Sequence, residues 1–466
     1  MLHRHLDTKI QKNFQWKPDI QGRRSPLLIP LFSLFMAFLP SHANALPSFA
    51  RQTGLTCNAC HAGFPELTPM GRQFKLGGYT MPGGQSKLPP LAFMVQPTFT
   101  HTNEPQPGGA APSFGNNDNF TFQEIGLFYA GKIAGNLGAF IQGTYSGVDK
   151  AWALDNVDIR YADTAQLAGK NLTYGFTVNN NPTAQDLWNS TPVWGFPFSE
   201  SDLAPAPAAA TLIDGSLGQQ VVGGGVYGFW NDLIYGEVTL YGALSAGTQR
   251  ALGADPEGEN RIKGVAPYWR FVVEHPVGPG TLSVGTSGLY AKTYPDGMRT
   301  FGNDRFVDVA GDLQYQVFMD RHTVTAQASL IHEWQKMSAS NALGLTARTS
   351  NELTTFRTKA TYFYRSTYGV NIGYARTSGR SDSAIYAPAV IEGSRTAEPD
   401  STNWVFQLDY IPFNDGGPSL WPWLNVRFST QYIVYTKFNG AKTNYDGFGR
   451  NASDNNTLFL LAWLAF

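Results

Sequence analysis

From Leu91 to the last residue the sequence alternates between apolar and polar positions. Asn156-Val157-Asp158-Ile159-Arg160-Tyr161 puts Val157, Ile159 and Tyr161 on one side of an extended chain and Asp158 and Arg160 on the other. Leu172-Thr173-Tyr174-Gly175-Phe176-Thr177-Val178 and Leu424-Asn425-Val426-Arg427-Phe428 do the same, and Phe356-Arg357-Thr358-Lys359-Ala360-Thr361-Tyr362 repeats the pattern more weakly. Period two is the mark of strands with one apolar and one polar face. Two architectures accommodate it. In a soluble sandwich the apolar face is inside; in an outer-membrane barrel it faces lipid, and charges such as Arg160, Lys359 and Arg427 face a wet lumen.

The connections choose between them. Short turns are expected at Gly135-Asn136, Asn231-Asp232, Gly278-Pro279-Gly280 and Arg321-His322. Longer polar connections are expected near 103–118, 181–218, 244–265, 336–350, 379–401 and 438–455. Short and long alternate, which is the periplasmic-turn, extracellular-loop asymmetry of bacterial barrels. The chain ends Leu458-Phe459-Leu460-Leu461-Ala462-Trp463-Leu464-Ala465-Phe466, and every second residue back from Phe466 is apolar. Such an ending resembles the signal read by the outer-membrane assembly machinery. The expected fold is all-β: an antiparallel outer-membrane barrel of about 16 strands over 91–466, set in a lipid bilayer.

Composition agrees. Charged residues are 15% of the chain, against about 25% in soluble domains, and aromatics are 14%. A mean hydropathy of −0.23 argues against a bundle of membrane helices. Two cysteines in 466 residues exclude a disulfide framework. A net charge of −1 gives no support to nucleic-acid binding. Gly223-Gly224-Gly225-Val226-Tyr227-Gly228 matches G-x-G-x-x-G, but it falls inside an expected strand, Val221 to Trp230, and not at a strand-to-helix turn. The 181–218 connection, with Trp188, Trp194, Phe196 and Phe198, is too long for a plain connector. It either folds into the lumen as a constriction or caps the mouth.

The first 45 residues read as an export signal. Six basic residues precede an apolar run from Leu27 to Leu39, and Ala43-Asn44-Ala45 supplies the cleavage pattern. The run is too short to span a bilayer, which needs about 20 residues. Beyond residue 45 the chain has 28 basic and 33 acidic residues, a net of −5.

Residues 46–90 carry Cys57-Asn58-Ala59-Cys60-His61, the C-x-x-C-H pattern of c-type haem attachment. Two thiols add across the two vinyl groups of one haem, and the adjacent histidine supplies an axial nitrogen. The competing readings are a redox disulfide, which would sit in a βαβ setting, and half a zinc site, which lacks its second pair of ligands. The preferred second axial ligand is Met81, in the bend Gly77-Gly78-Tyr79-Thr80-Met81-Pro82-Gly83-Gly84, with Met70 and His101 as alternatives. Chains near 40 residues seldom fold alone, so this segment is expected to pack against or inside something larger.

Pro47-Ser48-Phe49-Ala50-Arg51-Gln52-Thr53-Gly54, the C-x-x-C-H motif, Phe64-Pro65, Leu67-Thr68-Pro69-Met70-Gly71-Arg72-Gln73-Phe74-Lys75 and Gly78-Tyr79-Thr80-Met81 together resemble the fused outer-membrane cytochrome–porins. The best-known members of that family are iron oxidases of iron-oxidising bacteria. The resemblance implies one covalent haem c on Cys57 and Cys60 with His61 proximal, plugging a 16-stranded barrel. It also implies oxidoreductase chemistry, with electrons passing from extracellular Fe(II) to a periplasmic c-type cytochrome. Met70 stands where the family pattern has phenylalanine. The same conduit with another reductant or the reverse direction, and a diffusion porin with a structural haem, are the alternatives.

Overall fold

The computed structural model describes residues 46–85, 88–253, 261–417, 421 and 423–466. The expected export signal, 1–45, lies outside the described residues. Sixteen antiparallel strands make a wall: β1 Leu91–Thr102, β2 Asn119–Ala134, β3 Leu137–Ser146, β4 Ala151–Leu167, β5 Lys170–Asn179, β6 Val221–Trp230, β7 Ile234–Ala243, β8 Val265–Val277, β9 Gly280–Tyr294, β10 Asp304–Met319, β11 His322–Lys336, β12 Ser350–Tyr364, β13 Tyr368–Gly379, β14 Ser401–Tyr410, β15 Asn425–Lys437 and β16 Thr457–Ala465. Each pairs with the next in the chain, and β16 pairs back onto β1, so the wall is a closed barrel. Closure removes the free edges that an open sheet of this size would present. A two-residue strand, Arg261–Ile262, adds to β9 from within a long connection.

One end of the barrel has tight turns at 135–136, 168–169, 231–233, 278–279, 320–321 and 365–367, and one longer connection at 411–424. Asn231 and Asp232 both have positive φ, 56° and 49°, as a type I′ hairpin requires. The other end carries the long connections 103–118, 180–220, 244–264, 337–349, 380–400 and 438–456. The connections 147–150 and 295–303 at that end are shorter. The G-x-G-x-x-G stretch is strand β6, as expected.

Burial is inverted relative to a soluble protein. Along β1 the even-numbered Gln96, Thr98, Thr100 and Thr102 are buried. Elsewhere Phe120, Phe122, Leu127, Phe176, Val226 and Leu240 are exposed on the outside. A polar interior under an apolar exterior is the wall of a membrane-spanning barrel. No helix among the described residues is long and apolar enough to cross a membrane; the strands do the crossing.

Arg160, Lys359 and Arg427 face inward as expected, but they do not face water. Arg160 pairs with Asp158 at 2.9 Å and donates to the Gln185 carbonyl at 2.8 Å. Lys359 pairs with Glu66. Arg427 pairs with Asp409 at 3.0 Å and donates to the Phe64 carbonyl at 2.9 Å. Burying charge without partners is expensive; the wall supplies Asp158 and Asp409, and the segments 46–85 and 180–220 supply Glu66 and the Phe64 and Gln185 carbonyls.

The 180–220 connection folds inward rather than capping the mouth. Asp186 pairs with Arg270 of β8 at 3.1 Å, Ser190 Oγ donates to Asp312 of β10 at 2.6 Å, and Gln327 of β11 donates to the Trp188 carbonyl at 2.8 Å. Trp188 is 1% exposed, with its Nε1 on Glu274 at 2.6 Å.

Candidate functional site

The 46–85 segment is three short helices held by local caps. Helix α1, Pro47–Thr53, begins with proline and ends on Gly54 in the left-handed region at φ 72°, its N–H on the Ala50 carbonyl. Helix α2 is Cys57–Cys60. Helix α3, Pro69–Leu76, starts on Thr68, whose Oγ1 accepts from Gly71 N at 3.1 Å. The Thr68 N–H also donates to the Cys60 carbonyl at 3.0 Å, which ties α3 to the motif. Gly71 is where they cross: a Cβ there would lie 2.1 Å from the Cys60 carbonyl oxygen.

The wall fixes this segment at several points. Arg72 reaches Glu274 at 3.1 Å and Gln316 at 2.8 Å; Tyr79 OH donates to Asp158 at 2.6 Å; Tyr227 OH donates to the Leu76 carbonyl at 2.7 Å. The motif sits at the end with the tight turns. Asn58 N donates to the Asn414 carbonyl at 2.9 Å and its side chain to Asp415 at 2.7 Å, both in the 411–424 connection.

Cys57, Cys60 and His61 line one cavity of about 490 Å³, within the roughly 300–1,000 Å³ of ligand sites. Its lining is strongly aromatic: Phe49, Phe64, Phe74, Phe128, Trp194 and Trp463. Phe64 stacks on Trp463, with centroids 5.0 Å apart and 20° between planes, and lies 5.5 Å from the His61 ring. Five carboxylates, Glu124, Asp155, Glu200, Asp202 and Asp214, also line it. Enclosure by the protein pushes Glu200 up to about 7 and Asp202 up to about 6.

These residues fit a covalently attached haem. Burial pushes the Cys57 thiol up to about 12 and Cys60 to about 11, so neither is the low-pKa thiolate of a redox C-x-x-C. Among the described residues no group of three or more His, Cys, Asp or Glu is arranged to hold a metal ion. His61 is lowered to about 4 by burial and is therefore a neutral imidazole at pH 7. Its Nδ1 lies 3.3 Å from the Pro65 carbonyl. A proton shared there leaves Nε2 free as a ligand.

The sequence candidates for the second axial position divide differently. Met81 does not line the cavity; its carbonyl accepts from Gln52 at 3.1 Å. Met70 is 43% exposed on α3 and also lies outside the lining. His101 has odd parity on β1, so it falls on the outer face, with Nδ1 2.7 Å from Asp118. Met94 does line the cavity. It stands in no motif. Its one sequence signal is its parity with Gln96, Thr98 and Thr100, the polar face of β1.

No family model matches the sequence, and no curated protein matches it. Solved structures do. The anion-selective porin of Comamonas acidovorans is 11% identical, with 80% of this chain and 98% of that chain covered and a TM-score of 0.44. The outer membrane channel DcaP of Acinetobacter baumannii is 12% identical, with 81% and 96% covered and a TM-score of 0.44. OmpT, an outer membrane protein of Vibrio cholerae, is 8% identical, with 81% and 96% covered and a TM-score of 0.40. The reading of this chain as a membrane barrel stands on its own strand pairings and inverted burial.

Proposed function

We propose that the chain is an outer-membrane electron conduit of the fused cytochrome–porin kind, exported by its signal sequence, in which residues 46–85 plug the barrel and carry one haem c. The observation that carries this reading is that one cavity inside the barrel takes Cys57, Cys60 and His61 into a shell of aromatic side chains. A bound haem supplies one-electron redox chemistry. The protein's part is to hold and shield it. Cys57 and Cys60 anchor it, His61 presents Nε2, and the aromatic shell excludes water. Without a carrier, electrons have no path across an apolar band about 25 Å tall.

Two features support the direction. The motif sits at the tight-turn end, the periplasmic side of such barrels, where a periplasmic c-type cytochrome can approach. The carboxylates Glu124, Asp155, Glu200, Asp202 and Asp214 also line the cavity, and carboxylate oxygens suit a cationic donor such as extracellular Fe(II). The chain is then an oxidoreductase with Fe(II) as its substrate.

The test is to purify the barrel and stain the denatured chain for covalent haem. Fe(II) is then added at neutral pH while haem absorbance is followed. Reduction supports the conduit, and no reduction defeats Fe(II) as donor. A Cys57→Ser, Cys60→Ser double variant should lose the stain. The second reading is a diffusion porin with a structural haem, favoured by the wall itself, because sixteen strands are enough to enclose an aqueous channel. The two inserted segments weigh against it. Permeation of small sugars through reconstituted barrels distinguishes the two.

A further inference from the structure

We propose that Met94 Sδ supplies the second protein ligand of the haem iron, in addition to His61, an inference that rests on the haem reading above. Met94 lines the same cavity as Cys57, Cys60 and His61 and is 4% exposed. It projects from the inward face of β1, so the wall and not the plug supplies this ligand.

The chemistry of the lining narrows the choice. Iron in a c-type haem takes nitrogen or thioether ligands. Among the described residues, and apart from the motif itself, the lining offers two such side chains, Met94 and Lys75. Lys75 is committed: its Nζ donates to the Ala184 carbonyl at 2.7 Å and the Asp186 carbonyl at 2.8 Å and lies over the Trp194 ring at 4.8 Å. Tyr79, the one phenol in the lining, gives its proton to Asp158 at 2.6 Å. The remaining donors are carboxylates, amides and hydroxyls, hard oxygens that suit other cations better.

Met94 is also held in place. Its Sδ accepts from Trp463 Nε1 at 2.6 Å and more distantly from Gln96 Nε2 at 3.4 Å. A thioether has two lone pairs: ligation would replace the longer Gln96 contact and leave the Trp463 N–H on the other lone pair. Trp463 stacks on Phe64, and Phe64 lies against the His61 ring. One aromatic chain therefore connects the sulfur to the imidazole, the kind of outer-shell support that fixes metal ligands. Trp463 belongs to the last strand and Met94 to the first, so the support is complete only when β16 pairs with β1 and the barrel closes.

The experiment uses the full chain assembled in outer membranes with its covalent haem, comparing wild type with Met94→Leu, Met94→His and Met81→Leu. Haem stain on the denatured wild type comes first, and an unstained chain defeats the haem reading itself. In the stained protein, the ferric wild type should show the far-red thioether-to-iron charge-transfer absorption. Met94→Leu keeps the side-chain volume and should lose that band, with a fall in midpoint potential. Met94→His should also lose it while staying low-spin, with a potential below wild type. Met81→Leu should keep it. A stained wild type without the band, a Met94→Leu that retains it, or a Met81→Leu that loses it overturns the assignment while leaving the haem reading intact. If Met94→Leu fails to assemble, Met94→His carries the test by its spectrum.

Discussion

Glu66 is the acidic half of a buried ion pair that joins the 46–85 segment to the wall. Lys359 of β12 pairs with it, and Thr361 Oγ1 donates to the same carboxylate oxygen at 2.9 Å. The Lys359 and Glu66 side chains are only 7% and 5% exposed. Glu66→Ala strands the ammonium of Lys359 inside the barrel, and removing one partner of a buried pair costs about 3–5 kcal/mol. The sixteen strands pair with one another independently of this contact, so the cost falls on local release of the segment and not on the wall. At about 1.4 kcal/mol per tenfold change, the opening equilibrium of the segment should rise roughly 150- to 5,000-fold. Hydrogen exchange of amides 61–76 in folded barrels measures this directly, with the amides of β10 to β13 as the internal control. Adding Lys359→Met to Glu66→Leu should recover much of the protection, because a buried pair replaced by apolar groups of similar volume is often neutral. Protection in Glu66→Ala within about threefold of wild type would refute the claim that this pair anchors the segment.

Gly71→Ala should force α3 off the motif, since its Cβ would meet the Cys60 carbonyl at 2.1 Å; the cost is about 1–3 kcal/mol, and stained haem per barrel should fall. Trp188→Ala should loosen the 180–220 insertion at a cost of about 3–5 kcal/mol and raise single-channel conductance in planar bilayers. Lys75 is lowered from 10.5 to about 7, first by burial and then by Arg160. A lysine depressed in the fold contributes stability above its unfolded value and loses it as pH falls toward the folded value. The urea midpoint for release of α3 should therefore rise between about pH 7 and 10.5, and Lys75→Met should flatten that slope.

Much of this was legible in the chain because it is local. Alternation such as Val157, Ile159, Tyr161 depends only on the pleat, and the turns at 135–136, 231–233, 278–279 and 320–321 depend on a few residues each. Cys57, Cys60 and His61 fall within five consecutive residues, so their pattern stands out without a fold. Parity also marks Met94 as inward and His101 as outward, although nothing in a linear motif draws attention to either.

Tertiary structure decided what fills the barrel. The sequence marks Arg160, Lys359 and Arg427 as lumenal and places only Asp158 beside Arg160 as a partner. Glu66, Phe64 and Gln185 lie between 25 and 363 residues away along the chain and meet those charges only once the wall has closed. The same holds for the cavity. His61 comes from the short 46–85 segment, Met94 from the first strand and Trp463 from the last. A strand pattern specifies which way each side chain points, but not which distant segment will occupy the space it points into. That depends on burying charges with partners inside a closed wall, a condition that exists only when the whole chain has folded.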